Sequence, residues 1–332
     1  MSCIHCSEML SQIPLSKLDA ESLFKFHSSI SDLYGINNVI ITGGEPTLHD
    51  SFYEIIERLL HTGNIVLITT NALALDQEKT KKLLKKYPNM RLQISMDGTD
   101  EATYEKVRGK NTWKPFFDML SGFMNNTISS QVGLSMTILK FNQHQVFEMI
   151  SFAEKAKFGF VHFPVLLCAG ATKKRWSEVA PCVDDQIKIE TELFSFISEY
   201  TGDLNISSNR LEQIITAIES NGVNNCRQSP TLKIAANGEI YPCPAASASS
   251  RSIGSIYTHG IVESVFEKLN VSENTRTIYN NQCDQCDVNQ LCTSQFCANC
   301  NMLNPDSDEA FLYTCKILKN HYQDAAKELA IL

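Results

Sequence analysis

Short apolar runs alternate with longer amphipathic stretches along the first half of the chain. The runs are Val39-Ile40-Ile41, Ile65-Val66-Leu67-Ile68, Leu92-Gln93-Ile94, and the segments 132–139 and 160–167. The first three begin at 39, 65 and 92, spacings of 26 and 27 residues. Between them, apolar residues recur at helical spacing over 15–33, 52–60, 77–87, 102–123 and 146–156. Short buried strands alternating with helices predict a parallel sheet with right-handed crossovers. The first helix opens on Ser16-Lys17-Leu18-Asp19, a capping-box pattern whose side chains satisfy free backbone N–H groups. The rhythm stops near Gly170. Lys173-Lys174-Arg175 and Pro181-Cys182 read as linker, followed by helices over 184–200 and 211–220. From 226 onward, periodic apolar runs are few. A metal is expected to supply the stability that so small a core cannot. The expected organisation is an α/β domain over 1–175, a helical linker over 176–225 and a cysteine-rich domain over 226–332.

Ligands of parallel sheets bind at the carboxyl ends of the strands. Polar and glycine-rich residues collect at those ends here: Thr42-Gly43-Gly44-Glu45-Pro46, Thr69-Thr70-Asn71-Ala72 and Ser95-Met96-Asp97-Gly98. Glycine lets backbone groups approach a ligand closely, although Gly-Gly-Glu-Pro alone is also a tight turn with a rigid exit. His162, on the last run, is placed to point into the barrel, with a satisfied core histidine the plainer reading. The charges of Lys173-Lys174-Arg175 suit an acidic peptide, with solvated linker charge the plainer reading.

Cysteine spacing adds chemistry to this picture. Cys3-Ile4-His5-Cys6 is a C-x-x-C that fits half a zinc site, a redox pair or an iron–sulfur loop. Eight of the twelve cysteines lie from Cys226 onward: Cys226, Gly238-x4-Cys243, Cys283-x2-Cys286-x5-Cys292, Cys297, Cys300 and Cys315. So many soft ligands in one segment point to iron–sulfur clusters or zinc, and eight thiolates also match two tetrahedral zinc sites. Cys168 and Cys182 fit no spacing and read as buried or linker cysteines.

Composition narrows the class. Of 332 residues, 43% are hydrophobic and 20% charged, as in ordinary globular chains. A net charge of −8 argues against nucleic acid as the main partner. No apolar run nears the ~20 residues of a membrane helix. The first residues lack the basic head and apolar stretch of a signal peptide. The cysteines are therefore read in a reducing, cytoplasmic setting as metal ligands, not disulfides.

As a set, these motifs resemble the radical S-adenosylmethionine (SAM) superfamily. Cys3 and Cys6 resemble the last two cysteines of that family's C-x-x-x-C-x-x-C cluster loop, with His5 where an aromatic residue stands beside the adenine. Gly43-Gly44-Glu45-Pro46 is similar to the element that holds the amino group of the methionine moiety. Thr70-Asn71 resembles the usual Thr-Asn-Gly, with Ala72 replacing the glycine. The strand bearing Ser95 is similar to the family's fourth, and Arg108-Gly109 resembles a position near the cofactor carboxylate. The implied cofactor contacts are His5, Gly43, Gly44, Glu45, Pro46, Asn71, Ser95 and Arg108. The implied fold is a partial (β/α)6 parallel barrel lacking its first strand, followed by a small SPASM-type domain. The family's first cysteine and first strand fall before Met1. An upstream start and a degenerate member are the two accounts. The consistency of the remaining elements favours the first.

The tail resembles the SPASM extension, which holds auxiliary 4Fe–4S clusters. By that resemblance Cys283, Cys286, Cys292 and Cys315 hold an outer cluster. Cys226, Cys243 and either Cys297 or Cys300 hold an inner one. The family's x3 step after Cys292 is x4 here. The implied cofactors are one radical SAM cluster, two auxiliary clusters and SAM. The implied partners are a peptide or protein substrate and a low-potential flavodoxin- or ferredoxin-type donor. The implied activity is hydrogen abstraction from a ribosomally made peptide, leading to thioether or carbon–carbon bonds. A formylglycine-generating sulfatase maturase and a non-catalytic zinc-bound scaffold are the alternatives.

Overall fold

The computed structural model describes residues 3–6, 18–219, 231–242, 252–265, 285–288, 291–292 and 308–328. Six parallel strands form the frame: β1 (Asn38–Ile41), β2 (Ile65–Thr70), β3 (Met90–Ser95), β4 (Val132–Ser135), β5 (Phe160–Phe163) and β6 (Asn205–Ser208). They lie in sequence order, each hydrogen-bonded to the next, as a half-barrel. The crossovers are α1 (Ala20–Tyr34) before β1, then α2 (Phe52–His61), α3 (Gln77–Lys86), α4 (Glu101–Arg108), α5 (Trp113–Ser121), α6 (Val146–Lys155), α7 (Thr172–Val179) and α8 (Val183–Glu199). Helix α9 (Asn209–Glu219) follows β6 directly.

Strand alternation separates two faces. In β3, Met90, Leu92 and Ile94 are fully buried against the helices, whereas Arg91, Gln93 and Ser95 are only half-buried on the inner face. Period-2 patterning thus aims the apolar set at the helical layer and leaves the lumen polar. The buried layer is one continuous core that includes Ile56, Ile68, Leu92, Phe116, Leu134 and Val161. Such close packing makes the strand ends a rigid platform.

Three helices start on an aspartate whose carboxylate accepts a backbone N–H in the first turn: Asp19 from Ser22, Asp76 from Lys79 and Asp100 from Thr103. The cap of α1 is therefore Asp19, three residues beyond the expected Ser16. The amphipathic stretch 102–123 is two helices. Gly109, at φ +110°, ends α4, and Thr112 precedes α5.

The segment expected as a helical linker also contains β6, which extends the sheet beyond β5. Beyond it, β7 (Lys233–Ile234), β8 (Glu239–Tyr241) and β9 (Gly254–Ser255) form a small antiparallel sheet. Its apolar residues Ile240 and Ile256 share a cluster with Phe26 and Ile30 of α1. The last helix, α10 (Asp308–Glu328), packs Leu318 and Tyr322 against Ile214 and Ala217 of α9. At that junction Glu190 of α8 accepts a 2.8 Å hydrogen bond from His321 of α10 and lies 3.7 Å from Arg210 of α9. Burial disfavours the Glu190 carboxylate, but Arg210 and His321 outweigh it and hold its pKa below the ordinary value. No helix among the described residues is long and apolar enough to cross a membrane.

Candidate active site at the strand ends

The Cys3–Cys6 turn lies over the carboxyl ends of the half-barrel strands. Its backbone closes on itself, Cys6 N–H donating to Cys3 O at 3.3 Å. It is tied to two other elements: Ile4 N–H donates to Val107 O of α4, and Ala171 N–H donates to Cys6 O. Ile4 adds an apolar contact to the buried cluster of Val107, Leu139 and Val179. Burial pushes the Cys3 thiol up in pKa, and the nearby Arg108 guanidinium partly opposes that push.

Asp97, two residues past the end of β3, is the hub. It is 1% exposed. Its Oδ2 accepts from Arg108 Nε at 2.7 Å and lies 3.3 Å from His5 Nε2. Its Oδ1 accepts from Thr137 N–H at 3.0 Å, and its backbone oxygen accepts from buried Asn142 at 3.0 Å. Arg108 is itself 7% exposed. This is a buried ion pair with its remaining lone pairs satisfied, the condition under which such a pair is tolerated. Gly98 makes the approach of α4 feasible, because a Cβ there would lie 2.5 Å from Tyr104 N. Burial lowers the His5 pKa, against the pull of Asp97, and so favours the neutral ring.

The Gly-Gly-Glu-Pro turn is a backbone clasp between β1 and β2. Glu45 accepts through Oε1 from Thr47 and Thr70, and through Oε2 from Asn71 N–H at 2.8 Å. The carboxylate is thereby committed to shaping the turn. Gly43, at φ +134°, presents exposed backbone with no heavy atom within 4 Å of where a Cβ would stand. Pro46 opens the short 3-10 turn Pro46–Leu48. The Asn71 side chain accepts Leu73 N–H at 3.0 Å, and Ala72 takes a left-handed φ of +65° while fully buried.

Inside the half-barrel a polar row crosses four strands in register: Ser95, Ser135, His162 and Ser207. His162 Nδ1 and Ser207 Oγ are 2.8 Å apart, and burial lowers the histidine's pKa. The histidine is satisfied as expected, yet it is half-buried on the inner face, not in the core.

The sequence-predicted residues divide into groups. His5, Arg108 and Cys3 meet around Asp97, and Cys6 is on the same turn. Glu45 and Asn71 meet in the clasp beside Gly43, Gly44 and Pro46, and Ser95 stands on the inner row. Asp97 and Asn142 were not singled out beforehand. The signal for Asp97 was its place in Ser95-Met96-Asp97-Gly98; nothing marked Asn142.

Of the expected tail ligands, Cys286, Cys292 and Cys315 are half-buried. Cys286 and Cys292 contact the apolar cluster that contains Leu318 and Tyr322 of α10. Cys286 and Cys315 both lie within electrostatic reach of Lys319. Cys226, Cys243, Cys283, Cys297 and Cys300 lie outside the described residues. Among the described residues, no three Cys, His, Asp or Glu side chains converge as a ready metal cage.

The head of the chain fits a thiolate-held cluster with a polar nucleotide beside it. Two cysteines share one turn, and two buried polar atoms, His5 Nδ1 and Tyr104 Oη, have no hydrogen-bond partner among the described residues. A cation stands against the turn, and exposed glycine backbone follows β1 at the same carboxyl ends of the sheet.

Comparison with known proteins agrees with this reading. Residues 1–153 match the radical SAM superfamily. A Methanosarcina barkeri relative, Fe-coproporphyrin III synthase, is 29% identical over 183 residues, 54% of this chain and 44% of its own. The Mycolicibacterium smegmatis mycofactocin maturase MftC is 24% identical over 275 residues, 80% of this chain and 67% of its own. The chain spans about half the length of the first of these relatives. Streptococcus suis SuiB has been solved bound to SAM and to its precursor peptide SuiA. Both structures superpose over 92% of this chain and about 70% of their own, at TM-scores of 0.67 and 0.66 and 17% identity. The cysteine turn, the Gly-Gly-Glu-Pro clasp and the first four strands of the half-barrel all lie within the 153 residues that match the radical SAM superfamily, a superfamily of enzymes.

Proposed function

We propose that this chain is a radical SAM enzyme of the SPASM type that modifies a peptide, forming thioether or carbon–carbon bonds in a ribosomally made substrate. The observation that carries the reading is the meeting of Cys3, His5 and Arg108 around Asp97, at the same carboxyl ends of the parallel strands that carry the Gly43-Gly44 turn. The printed names of MftC, a maturase, and of SuiB with a bound precursor peptide support a peptide as the substrate class.

When bound, a 4Fe–4S cluster and SAM supply one-electron cleavage of a sulfonium and hence a hydrogen-abstracting radical. Cys3 and Cys6 would ligate the cluster. Asp97 fixes Arg108 so that its charge stands beside the thiolates and beside the carboxylate of SAM. Neutral His5 gives an uncharged face to the adenine. The Gly43-Gly44 backbone offers its polar groups to the amino group of SAM. The polar inner row from Ser95 to Ser207 orients the substrate. The surrounding core excludes water, which a reactive radical requires. In the tail, Cys283, Cys286, Cys292 and Cys315 would hold one auxiliary cluster. Cys226, Cys243 and Cys297 or Cys300 would hold the other. A flavodoxin- or ferredoxin-type donor in the cytoplasm would supply the electron.

The test is anaerobic purification followed by reduction with SAM present. Brown protein absorbing near about 400 nm, several irons per chain and release of 5′-deoxyadenosine are expected. The double variant Cys3→Ala/Cys6→Ala should abolish the release while retaining tail iron. Colourless protein carrying about two zinc ions would leave only a scaffold.

A further inference from the structure

Tyr313 of α10 is a wall shared by two spaces. On one side is a polar cavity of about 20 Å³ at the carboxyl ends of β5 and β6, bordered also by Ser208 and Arg210. On the other is an open groove of about 400 Å³ between the end of α7, the start of α8 and α10. The groove has an aromatic floor, with Trp176 edge-on to Tyr313 at a ring separation of 5.2 Å. Leu312 beside it is 46% exposed. Lys140 and Lys316 flank this floor, both exposed, and neither ammonium has an ion-pair or hydrogen-bond partner among the described residues. Against these two cations stands one lining carboxylate, Glu309. A local excess of unpaired positive charge is notable in a chain of net charge −8.

The groove is close to the site at the strand ends. Leu166 packs both with Trp176 and Tyr313 beneath the groove and with the Val107–Leu139–Val179 cluster that Ile4 also touches. Leu166 and that cluster therefore connect the groove floor to the Cys3–Cys6 turn.

We propose that this groove docks an acidic segment of the peptide substrate, with an apolar side chain on the Trp176–Tyr313 floor and carboxylates on Lys140 and Lys316. The proposal rests on the peptide reading above and adds a recognition surface apart from the reacting centre. Unpaired ammoniums gain from a partner's carboxylates without giving up an internal ion pair, and they steer the encounter. The aromatic floor supplies an anchor of the kind that dominates interface energies.

The experiment needs neither reductant nor SAM, so it reads docking separately from radical chemistry. The probe is a short fluorescein-labelled peptide rich in Asp and Glu around a central Phe; its Lys-for-acid counterpart is the control. The acidic probe should bind by anisotropy, shift the emission of Trp176 in a Trp113→Phe background, and slow alkylation of exposed Cys182, which also lines the groove. Lys140→Glu/Lys316→Glu should weaken binding roughly tenfold or more, whereas Lys140→Arg/Lys316→Arg should preserve it. No binding of the acidic probe, equal binding of the basic peptide, or indifference to the Glu pair would overturn the proposal. So would light scattering that shows a dimer dissolved by the Glu pair, since a second copy would then be the occupant. Loss of 5′-deoxyadenosine release with docking intact would overturn the enzymatic reading and leave the groove assignment standing.

Discussion

At the scale of single residues, Asp97 organises the site by giving one oxygen to two partners. Arg108 and His5 both reach its Oδ2, and Arg108 has no other way to offset its buried charge in this network. Replacing the carboxylate with an amide keeps the shape and removes the charge. Asp97→Asn should therefore cost about 3 kcal/mol of stability, read as a lowered urea midpoint, and should weaken SAM binding measured by calorimetry. An unchanged midpoint with unchanged SAM affinity would remove Asp97 from its central role. Ala72 is a second residue-scale case. Its left-handed φ costs about 1–2 kcal/mol, but a glycine there gives up a buried methyl worth about 0.8 kcal/mol and adds unfolded-chain entropy. Ala72→Gly should thus leave stability within about 0.5 kcal/mol of the parent. A loss above 1 kcal/mol, as at an ordinary buried alanine, would show that φ is not the governing constraint. The left-handed position is hinted at in the sequence, where Ala72 replaces a glycine, but the role of Asp97 is not, because its partners are remote. Asp97 meets residues 5, 108, 137 and 142, and only folding brings those positions together.

At the scale of elements, α8, α9 and α10 are joined by a buried polar knot of Glu190, Arg210 and His321. The Glu190 pKa is held below the ordinary 4.5, so folding favours its charged form. The stability this carboxylate contributes is therefore fully present above that ordinary value and is lost as pH falls below it through the folded pKa. The urea midpoint should drop on acidification through that window, and Glu190→Gln should flatten this part of the profile while lowering the unfolding free energy at neutral pH by about 3 kcal/mol. An equally steep acid limb in the variant would assign the effect to other carboxylates. Elements were legible in the sequence where one face carried a full apolar set. Strands β2 and β3 bury that set against helices, and period and burial agree, whereas in β1, first in the sheet order, Val39 and Ile41 are half-buried and Ile40 is exposed. Strand β6 was missed because Asn205, Ser207 and Ser208 leave Ile206 as its single apolar residue. Its pairing with β5 comes from the sheet's open edge, not from its own pattern. The break between α4 and α5 was hidden because amphipathic spacing continues across Gly109.

At the scale of the whole molecule, cysteines at both ends of the chain are placed by helices that flank the same half-barrel. The head turn is tied to α4 through Val107, and the tail is tied to α10 through a contact outside any cysteine pattern. Asp287, the residue after Cys286, accepts from Lys319 at 3.0 Å and also from Gln323, both on α10. Lys319 is thus a clamp between the loop of Cys286 and the helix of Cys315, as well as a positive charge near both sulfurs. The pair is nearly half-exposed, so it contributes little to global stability. Its contribution is local: it fixes where the Cys286 loop stands relative to the helix of Cys315. Lys319→Met should therefore leave the urea midpoint nearly unchanged, yet, by releasing the Cys286 loop from α10, make Cys286 alkylate faster in the iron-free protein and lower the tail iron retained by a Cys3→Ala/Cys6→Ala background. Lys319→Arg should keep the iron. If Lys319→Met left both alkylation and iron unchanged, the loop and helix would be held together by the apolar cluster around Leu318 and Tyr322 alone, and the charge would be incidental.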